Sequence, residues 1–402
     1  MLLASDKRIA YLVGKSDRAI SVQPLVPYDE LVCKFLNDLS SALLSDKSAK
    51  LYPDVISFAY WCRKANIARL KREFVETHAR LGLGMVFHIA PSNVPINFVF
   101  SYVFSLLAGN ANVVRVPTRD FPQTGIVCRA INQLLANEKY KNIADMTVFV
   151  RYQQDDGITG AFSGKCNARI IWGGDQAINN IRNLPIPERS IEIAFADRYS
   201  LCVIDADSVL RADNATISGL AGSFYNDTYL MDQNACSSPH LVVWLGKGAV
   251  VRKAKEKFWD SVYEVVAAKY ELQPVNAMDK YVLLCKNAIE LNTITNFKKH
   301  GNYLYRIELD SLPADMDAFR GKHGFFYEYT AQNMNSIAHI INAKYQTLTY
   351  FGLAKAQLLG FVVENRLAGI DRIVPIGSAL DIGVIWDGYD LVRSLSRIID
   401  FR

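Results

Sequence analysis

Residues 85–117 read MVFHIAPSNVPINFVFSYVFSLLAGNANVVRVP. The segment opens with a short, mainly apolar run that ends at Pro91, which is typical of a buried strand. Residues 96–108 have the length and apolarity of a buried helix, and the Gly109-Asn110 pair after them suits a left-handed helix end. A second apolar strand at 112–116 ends at Pro117. This order of strand, helix and strand predicts a parallel sheet covered by helices.

The same alternation continues along the chain on the C-terminal side. Further strands are predicted at 147–152, 168–172, 200–204 and 240–245, with helices at 122–136, from Asp175, after Asp213 and at 248–269. Residues 1–75 combine helical patterns with many charges and predict a helical lead-in. Because no Pro/Ser-rich linker or low-complexity tract interrupts the chain, we expect two closely packed α/β domains with parallel sheets.

Composition excludes several classes of function. The net charge of +5 comes from 45 basic and 40 acidic side chains, with no block of five like charges, so nucleic acid is not an expected partner. The seven cysteines include no C-x-x-C pair, and the six histidines lack metal-ligand spacing, which argues against disulfides and a metal site. No signal peptide or membrane span is predicted, and a cytoplasmic location is expected.

Two glycine motifs bear on phosphate binding. Gly82-Leu-Gly84 precedes a strand, whereas a dinucleotide-binding turn must follow one, so no phosphate contact is expected there. Gly173-Gly174 lies between a strand and a helix, where backbone N–H groups could meet a cofactor phosphate. The alternative is a tight turn that needs glycine for its own geometry.

Two arginines lie where a predicted strand ends. Arg115 and Arg119 flank Pro117, and the carboxyl edge of a parallel sheet is the usual ligand-binding edge. Such an arginine can accommodate the 2′-phosphate of NADPH; for either residue taken alone, the sequence favours the alternative of a solvated surface arginine.

One cysteine lies in a polar loop between predicted elements, Met231-Asp-Gln-Asn-Ala-Cys236-Ser-Ser-Pro-His240. A thiol in such a loop differs from the usual buried, apolar cysteine, and thiolates are strong nucleophiles towards thioesters. The loop therefore indicates either a nucleophile or a structural cysteine.

Several segments together resemble a known superfamily. Ile89-Ala-Pro-Ser-Asn93-Val-Pro95 and Leu107-Ala-Gly-Asn110-Ala-Asn-Val-Val-Arg115-Val-Pro117 are similar to the cofactor-binding strand and helix of aldehyde dehydrogenases, Ile171-Trp-Gly-Gly174 to their glycine turn, and Gln233-Asn-Ala-Cys236-Ser-Ser-Pro to their nucleophile loop. Gly369-Ile-Asp-Arg-Ile-Val-Pro-Ile-Gly-Ser-Ala-Leu-Asp and Ile385-Trp-Asp-Gly-Tyr-Asp-Leu resemble the C-terminus of the fatty-acyl-CoA reductase of bacterial bioluminescence systems. The resemblance extends from about residue 80 to 402.

The resemblance implies an aldehyde-dehydrogenase-like fold of two packed Rossmann-like α/β domains. It implies a cofactor-binding domain at 76–198, a catalytic thiol domain at 199–365 and a C-terminal segment at 366–402 that returns to the cofactor domain. Cys236 would be the nucleophile, and Asn93 would stabilise the oxyanion together with the backbone N–H of Cys236. The residues implied to line the cofactor, NADPH, are Ile89, Ala90, Pro91, Ser92, Arg115, Gly173 and Gly174.

The implied reaction is the NADPH-dependent reduction of an acyl-CoA, of fatty-acyl type, to an aldehyde through an acyl-enzyme on Cys236. An acyl-protein is an alternative substrate, an acyl-protein synthetase is the implied partner, and a homo-oligomer is expected. Three alternatives stay open: a CoA-acylating aldehyde dehydrogenase running in the oxidative direction, a cysteine acyltransferase without nicotinamide, and a non-catalytic subunit of a synthetase complex.

One departure from the superfamily pattern concerns the base that activates water in oxidising aldehyde dehydrogenases. Phe195 stands where we place that glutamate. Glu192 is three residues earlier on a predicted strand, so its side chain should point to the opposite face. An acyl-enzyme without this base would be protected from hydrolysis, which suits a reductase.

Overall fold

The computed structural model describes residues 6–14, 20–92 and 94–402. The chain divides into two compact units. The first contains the described residues up to Ala196 together with Tyr389–Arg402, and the second contains Asp197–Gly388. Among the residues described, no helix is both long and apolar enough to cross a membrane.

The N-terminal part of the first unit is mainly helical, and the role of residues 1–75 as a lead-in stays a prediction. It contains β1 (Ala10–Val13), α1 (Glu30–Ser45), α2 (Pro53–Trp61) and α3 (Lys64–Glu73). The carboxylate of Asp29 caps α1 by accepting backbone N–H groups of its first turn. The strand β1 was not expected, because four residues are too few to show a period-two pattern.

The rest of the first unit alternates strands and helices. These are β2 (Ala79–Gly82), β3 (Met85–Ile89), α4 (Asn97–Leu107), β4 (Ala111–Arg115), α5 (Pro122–Leu135), α6 (Lys141–Asp145), β5 (Thr147–Arg151), α7 (Asp156–Ser163), β6 (Ala168–Trp172), α8 (Asp175–Arg182) and β7 (Ile191–Phe195). Six of the described strands form a sheet in the order β1-β5-β4-β3-β6-β7. All neighbours in it are parallel except β1, which pairs antiparallel with β5 at one edge. The predicted parallel sheet is therefore confirmed.

The predicted helix end at Gly109 is confirmed and has a steric cause. Gly109 has a φ of +91°, and a Cβ there would lie 2.1 Å from the carbonyl oxygen of Leu25. The backbone N–H of Leu25 donates to the carbonyl of Gly109 at 2.8 Å. Only glycine fits both the left-handed conformation and this close approach.

The second unit contains a larger sheet. Its elements are β8 (Tyr199–Asp205), α9 (Ala206–Arg211), α10 (Asn214–Thr228), β9 (Pro239–Leu245), α11 (Gly248–Lys269), α12 (Pro274–Glu290), β10 (Ile294–His300), β11 (Leu304–Leu309), β12 (Phe325–Ala331), β13 (Tyr345–Phe351), α13 (Lys355–Glu364), β14 (Arg372–Pro375) and β15 (Ile385–Trp386). Seven of the described strands follow the order β10-β11-β12-β9-β8-β13-β14. Only the β10–β11 pair is antiparallel. A hydrophobic core covers each face of this sheet.

The chain ends in the first unit with β16 (Tyr389–Asp390), α14 (Leu391–Ser394) and β17 (Ser396–Ile399). Strand β17 pairs antiparallel with β2. Of the segment 366–402, only the part from Tyr389 onward therefore belongs to the first unit, whereas β14 extends the sheet of the second. The functional division into 76–198, 199–365 and 366–402 stays a prediction.

Candidate active site

Cys236 lies in the loop that connects α10 to β9 in the second unit. The buried amide of Gln233 holds this loop in place. Its oxygen accepts the backbone N–H groups of Gly324 and Phe325 at 3.2 and 3.1 Å, and its nitrogen donates to the carbonyls of Pro239 and Phe325 at 3.1 and 3.0 Å. Because buried polar groups are costly to leave unpaired, these four hydrogen bonds give the loop one defined conformation.

The backbone of Cys236 is tied to two strands of the sheet. The hydroxyl of Ser200, on β8, donates to the carbonyl of Cys236 at 2.7 Å. The same hydroxyl accepts the backbone N–H of Thr347, on β13, at 3.1 Å. The position of the Cys236 main chain is therefore set by parallel strands and not by its own loop alone.

The thiol of Cys236 meets a side-chain amide from β13. Nε2 of Gln346 donates to the Cys236 Sγ at 3.4 Å and also to Oδ1 of Asp387. Oε1 of Gln346 accepts the hydroxyl of Thr347 at 3.2 Å. A carboxylate can only accept, so Asp387 fixes which end of the amide faces the sulfur. The sulfur therefore has an N–H donor that can stabilise negative charge on it.

Charged groups around the thiol act in opposite directions on its pKa. Burial raises the pKa of the Cys236 thiol to about 11, the Asp387 carboxylate adds to the rise, and the Gln346 amide and the Arg198 guanidinium oppose it. Arg198 is itself bound by Asp371, and its Nη1 lies 3.9 Å from Oδ2 of Asp387. Without substrate, Cys236 is therefore held as a neutral thiol at neutral pH.

The predicted oxyanion donor, Asn93, lies outside the described residues, and its role stays a prediction. The structure does bring the other cofactor candidates of the first unit to one sheet edge. Ile89, at the end of β3, pairs in register with Arg115 on one side and Ile171 on the other. The backbone N–H of Ala90 donates to the carbonyl of Arg115 at 3.2 Å, so the segment through Pro91 and Ser92 begins at this edge.

Gly173 and Gly174 follow β6 at the same edge, and Gly174 is the N-cap residue of α8. Gly174 has φ −72° and ψ 162°, which any residue adopts, and a Cβ there would meet nothing within 4 Å. The alternative that the turn itself needs a glycine at 174 is therefore wrong. No side chain caps α8. The backbone N–H groups in the first turn of α8 lack a side-chain cap, and Gly174 before them has no side chain. This arrangement fits a pyrophosphate group that approaches the helix end closely.

Both candidate arginines contact aromatic rings. The guanidinium carbon of Arg115 lies 4.5 Å from the ring centroid of Tyr152, and its Nη2 is 3.5 Å from the Tyr152 carbonyl. The guanidinium carbon of Arg119 lies 5.1 Å from the centroid of Phe121, and the residue is exposed. The ring of Tyr152 holds Arg115 beside the end of β4, where the sheet edge would place a ligand.

A buried polar chain orients the residue before the glycine turn. Nε1 of Trp172 donates to the Ser101 hydroxyl at 3.1 Å, and His88 lies between Ser101 at 2.8 Å and Oδ1 of Asn112 at 2.9 Å. Asn112 donates its amide to the carbonyl of Asn110, so its oxygen must accept from Nε2–H of His88, and Nδ1 of His88 then accepts from Ser101. Burial lowers the pKa of His88 to about 4, consistent with this neutral tautomer.

The structure also places the two residues that bear on hydrolysis. Phe195 is buried and stacks on Trp172, with ring centroids 3.8 Å apart. Glu192 forms ion pairs with Arg169 at 2.5 Å and Arg182 at 2.8 Å. Two guanidinium groups therefore occupy both carboxylate oxygens of Glu192, which leaves it poorly suited to act as a base.

Sequence reasoning missed Ser200, Gln346, Arg198 and Asp387. Asp387 lies within the Ile385-Trp-Asp segment that carried the family resemblance, but no chemical property of that segment pointed to a thiol. Ser200, Arg198 and Gln346 lie at the starts of β8 and β13 with no local signal. Among the described residues, no group of three or more His, Cys, Asp or Glu could hold a metal ion.

Comparison with solved structures defines the class of fold. The chain is similar to an acetylating aldehyde dehydrogenase from Geobacillus thermoglucosidasius (12% identity, 93% of this chain and 92% of that chain, TM-score 0.60). It is also similar to a salicylaldehyde dehydrogenase from Pseudomonas putida G7 (12%, 93% and 85%, 0.62) and an NAD-dependent benzaldehyde dehydrogenase from Corynebacterium glutamicum (15%, 92% and 84%, 0.58). The fold is thus the α/β fold of aldehyde dehydrogenases, as expected.

The family follows from the sequence. The chain belongs to the acyl-CoA reductase (LuxC) family, whose model matches residues 66–279. The resemblance stated from the motifs is therefore confirmed, and the protein is an oxidoreductase of this family. No curated protein sequence matches the chain significantly.

Proposed function

We propose that the protein reduces a fatty acyl-CoA thioester, or an equivalent acyl-protein, to the aldehyde with NADPH, by way of a thioester on Cys236. The observation that carries this proposal is the Gln346 amide on the Cys236 sulfur, in a loop that Gln233 holds rigid. The amide N–H can stabilise a thiolate on this sulfur, which is what a cysteine nucleophile requires. An acyl-activating partner and a cytoplasmic location belong to the same proposal and rest on the family alone.

The first half-reaction transfers the acyl group to the protein. The sulfur of Cys236 attacks the thioester carbon, the bond from that carbon to the CoA sulfur breaks, and CoA leaves as a thiol with the proton that Cys236 loses. Gln346 stabilises the negative charge that develops on the Cys236 sulfur, and Asn93 donates to the carbonyl oxygen. One such oxyanion donor contributes roughly 3 kcal/mol to transition-state stabilisation.

The second half-reaction reduces the acyl group. Ile89–Ser92, Arg115 and Gly173-Gly174 would hold NADPH, which would supply the hydride for the acyl carbon. The Cys236 sulfur then departs, with Gln346 again stabilising the charge, and takes up a proton as the aldehyde is released. Because both oxygens of Glu192 are bound by arginines, we expect the acyl-enzyme to react with hydride or thiol faster than with water.

The uncapped turn at Gly174 fits a pyrophosphate group, which both NADPH and acyl-CoA carry, so nicotinamide binding is what separates this reaction from that of a cysteine acyltransferase. Mixing with NADPH tests the difference, because a nicotinamide difference spectrum is expected for the reductase. The direction of the reaction is tested by supplying aldehyde and NADP⁺ with and without CoA. Product that forms only with CoA present is expected for a chain without a hydrolytic base.

The deciding experiment measures the intact protein mass after mixing with a panel of acyl-CoAs in the absence of NADPH. We expect one acyl mass on the wild type and none on Cys236→Ala, while the difference spectrum with NADPH is retained. Cys285→Ala is the matched control, because that cysteine is exposed and lies in α12. Acyl mass that persists on Cys236→Ala would contradict the assignment.

A further inference from the structure

Helix α12 carries an apolar stripe on its outer face. Its members are all exposed and are spaced alternately three and four residues apart: Val275, Met278, Val282, Cys285 and Ile289. The four large members are 64%, 62%, 59% and 82% exposed, and Cys285 is exposed as well. We refer to these five residues as the exposed seam. An apolar repeat with a mean spacing of 3.5 residues is the pattern by which two helices pair side by side.

The opposite face of α12 attaches the helix to its own unit. Lys280 and Asn287 are buried and seven residues apart. Nζ of Lys280 donates to the carbonyl of His323 at 2.8 Å, and Nδ2 of Asn287 donates to the hydroxyl of Tyr327 at 2.6 Å. Leu283 and Leu284 of α12 also pack against the core, so the helix already has an inward apolar face and presents the seam outward in addition to it.

Charges beside the seam define the partner. Asp279 and Lys286 are exposed, and each directly follows a seam residue, so both lie along the same side of the seam. Their midpoint falls next to Val282, which is also the middle residue of the seam. Consider a second α12 that runs antiparallel about a two-fold axis at Val282. Asp279 and Lys286 of the partner subunit are then offset by only about 1.5 Å along the helix axis, and the symmetry produces this contact twice. In a parallel pair, by contrast, Asp279 and Lys286 would face the other flank of the partner helix and would not meet each other.

We propose that α12 is a self-association helix, through which two copies of this chain pair antiparallel about a two-fold axis at Val282. A two-fold contact requires one surface to be complementary to itself. The seam meets this requirement, since Val275 and Ile289 both lie seven residues from Val282, and the charges of Asp279 and Lys286 lie three and four residues from it. Lys286 also lies 3.7 Å from Glu290 on its own helix, an exposed pair that is weak enough to rearrange.

The first test measures molar mass by light scattering and sedimentation over a range of concentrations. Val282→Asp should halve the mass of the assembly by placing two carboxylates together on the axis. Leu359→Asp is the matched control, because Leu359 is also 59% exposed but lies on α13. Circular dichroism reports whether each variant remains folded. A wild type with the mass of one chain at every concentration, or an unchanged mass for Val282→Asp, overturns the proposal.

The second test distinguishes a second copy from any other partner. Asp279→Lys and Lys286→Asp should each weaken association about tenfold, because each replaces two attractive contacts by repulsive ones. The double variant should restore association, since the reversed charges then face each other again across the two-fold axis. Failure of the double variant to recover would show that the seam binds a different protein, and the proposal falls.

A disulfide tests the direction of pairing. In a Cys285→Ser background, Val282→Cys should form a disulfide between subunits under mild oxidation, because residue 282 faces itself on the axis. The native Cys285 should not form a disulfide with the same residue of the second copy, because antiparallel pairing separates the two Cys285 residues by about 9 Å along the helix axis. Linkage through Cys285 in the otherwise native chain would show parallel pairing and refute the proposed axis.

Discussion

The Gln346 amide should determine how readily the Cys236 thiol ionises. Gln346→Met removes the N–H donor to the sulfur and fills similar space, so that water does not simply take its place. The hydrogen bond stabilises the thiolate more than the thiol, and burial has already raised the pKa of Cys236 to about 11. Loss of the donor should therefore raise this pKa further and slow every reaction that proceeds through the thiolate.

The magnitude follows from the geometry. Hydrogen bonds to charged groups contribute about 1.5–3 kcal/mol, and a long contact to sulfur belongs at the lower end of that range. About 1.4 kcal/mol corresponds to one pKa unit and a tenfold change in thiolate. With a pKa of about 11, roughly one thiol in a thousand is ionised at pH 8, and the variant should have roughly one in ten thousand.

The assay is the rate of alkylation of Cys236 by iodoacetamide, followed by peptide mass spectrometry between pH 7 and 10. Both proteins should react about tenfold faster for each unit of pH, because this range lies below the thiol pKa, with the variant about tenfold slower throughout. Gln357→Met is the control, since Gln357 is exposed on α13. If Gln346→Met reacts as fast as the wild type, or faster, the amide does not stabilise the thiolate and the reasoning is wrong.

Three further outcomes are expected. Gly174→Ala should change the free energy of unfolding by less than about 0.5 kcal/mol, since its Cβ meets nothing, but should weaken NADPH binding at least roughly tenfold in a calorimetric titration; unchanged affinity would exclude a phosphate from this turn. Arg115→Ala should reduce the ratio of kcat/KM for NADPH over NADH roughly tenfold, and an unaltered ratio would show that this guanidinium does not bind the 2′-phosphate. Glu192→Gln should leave acid release from the acyl-enzyme unchanged while lowering the free energy of unfolding by about 2 kcal/mol, because the buried Arg169 loses its charged partner. A marked fall in acid release would instead identify Glu192 as a base.

Local sequence patterns predicted most of the parallel-sheet elements. Strand β6 and helix α11 have the bounds expected from apolar runs and flanking glycines, and α5 begins at the expected Pro122. The strand β1 was missed because its pairing with β5 depends on residues more than a hundred positions away. The glycine at 174 showed the limit of a local argument, because only the structure revealed that its backbone conformation suits any residue.

The candidate site shows the same division. Cys236 could be found because its loop is polar, short and similar to a known nucleophile loop, all of which are properties of adjacent residues. Gln346 is 110 residues away from Cys236 and has no distinguishing neighbours, so nothing in the chain marked it. Likewise, the alternation of side chains along a strand correctly predicted that Glu192 and Phe195 lie on opposite faces of β7. The two arginines that bind Glu192 were not predicted.

The sequence by itself determined the α/β class, the family and the identity of the candidate thiol, because these depend on apolar periodicity and on motifs of adjacent residues. Tertiary structure alone decided how that thiol behaves. Its pKa depends on how far water is excluded and on the distance to charges and donors, and these are set when β8, β9 and β13 align in one sheet. Electrostatic interactions depend on separation in space, which separation along the chain does not reveal.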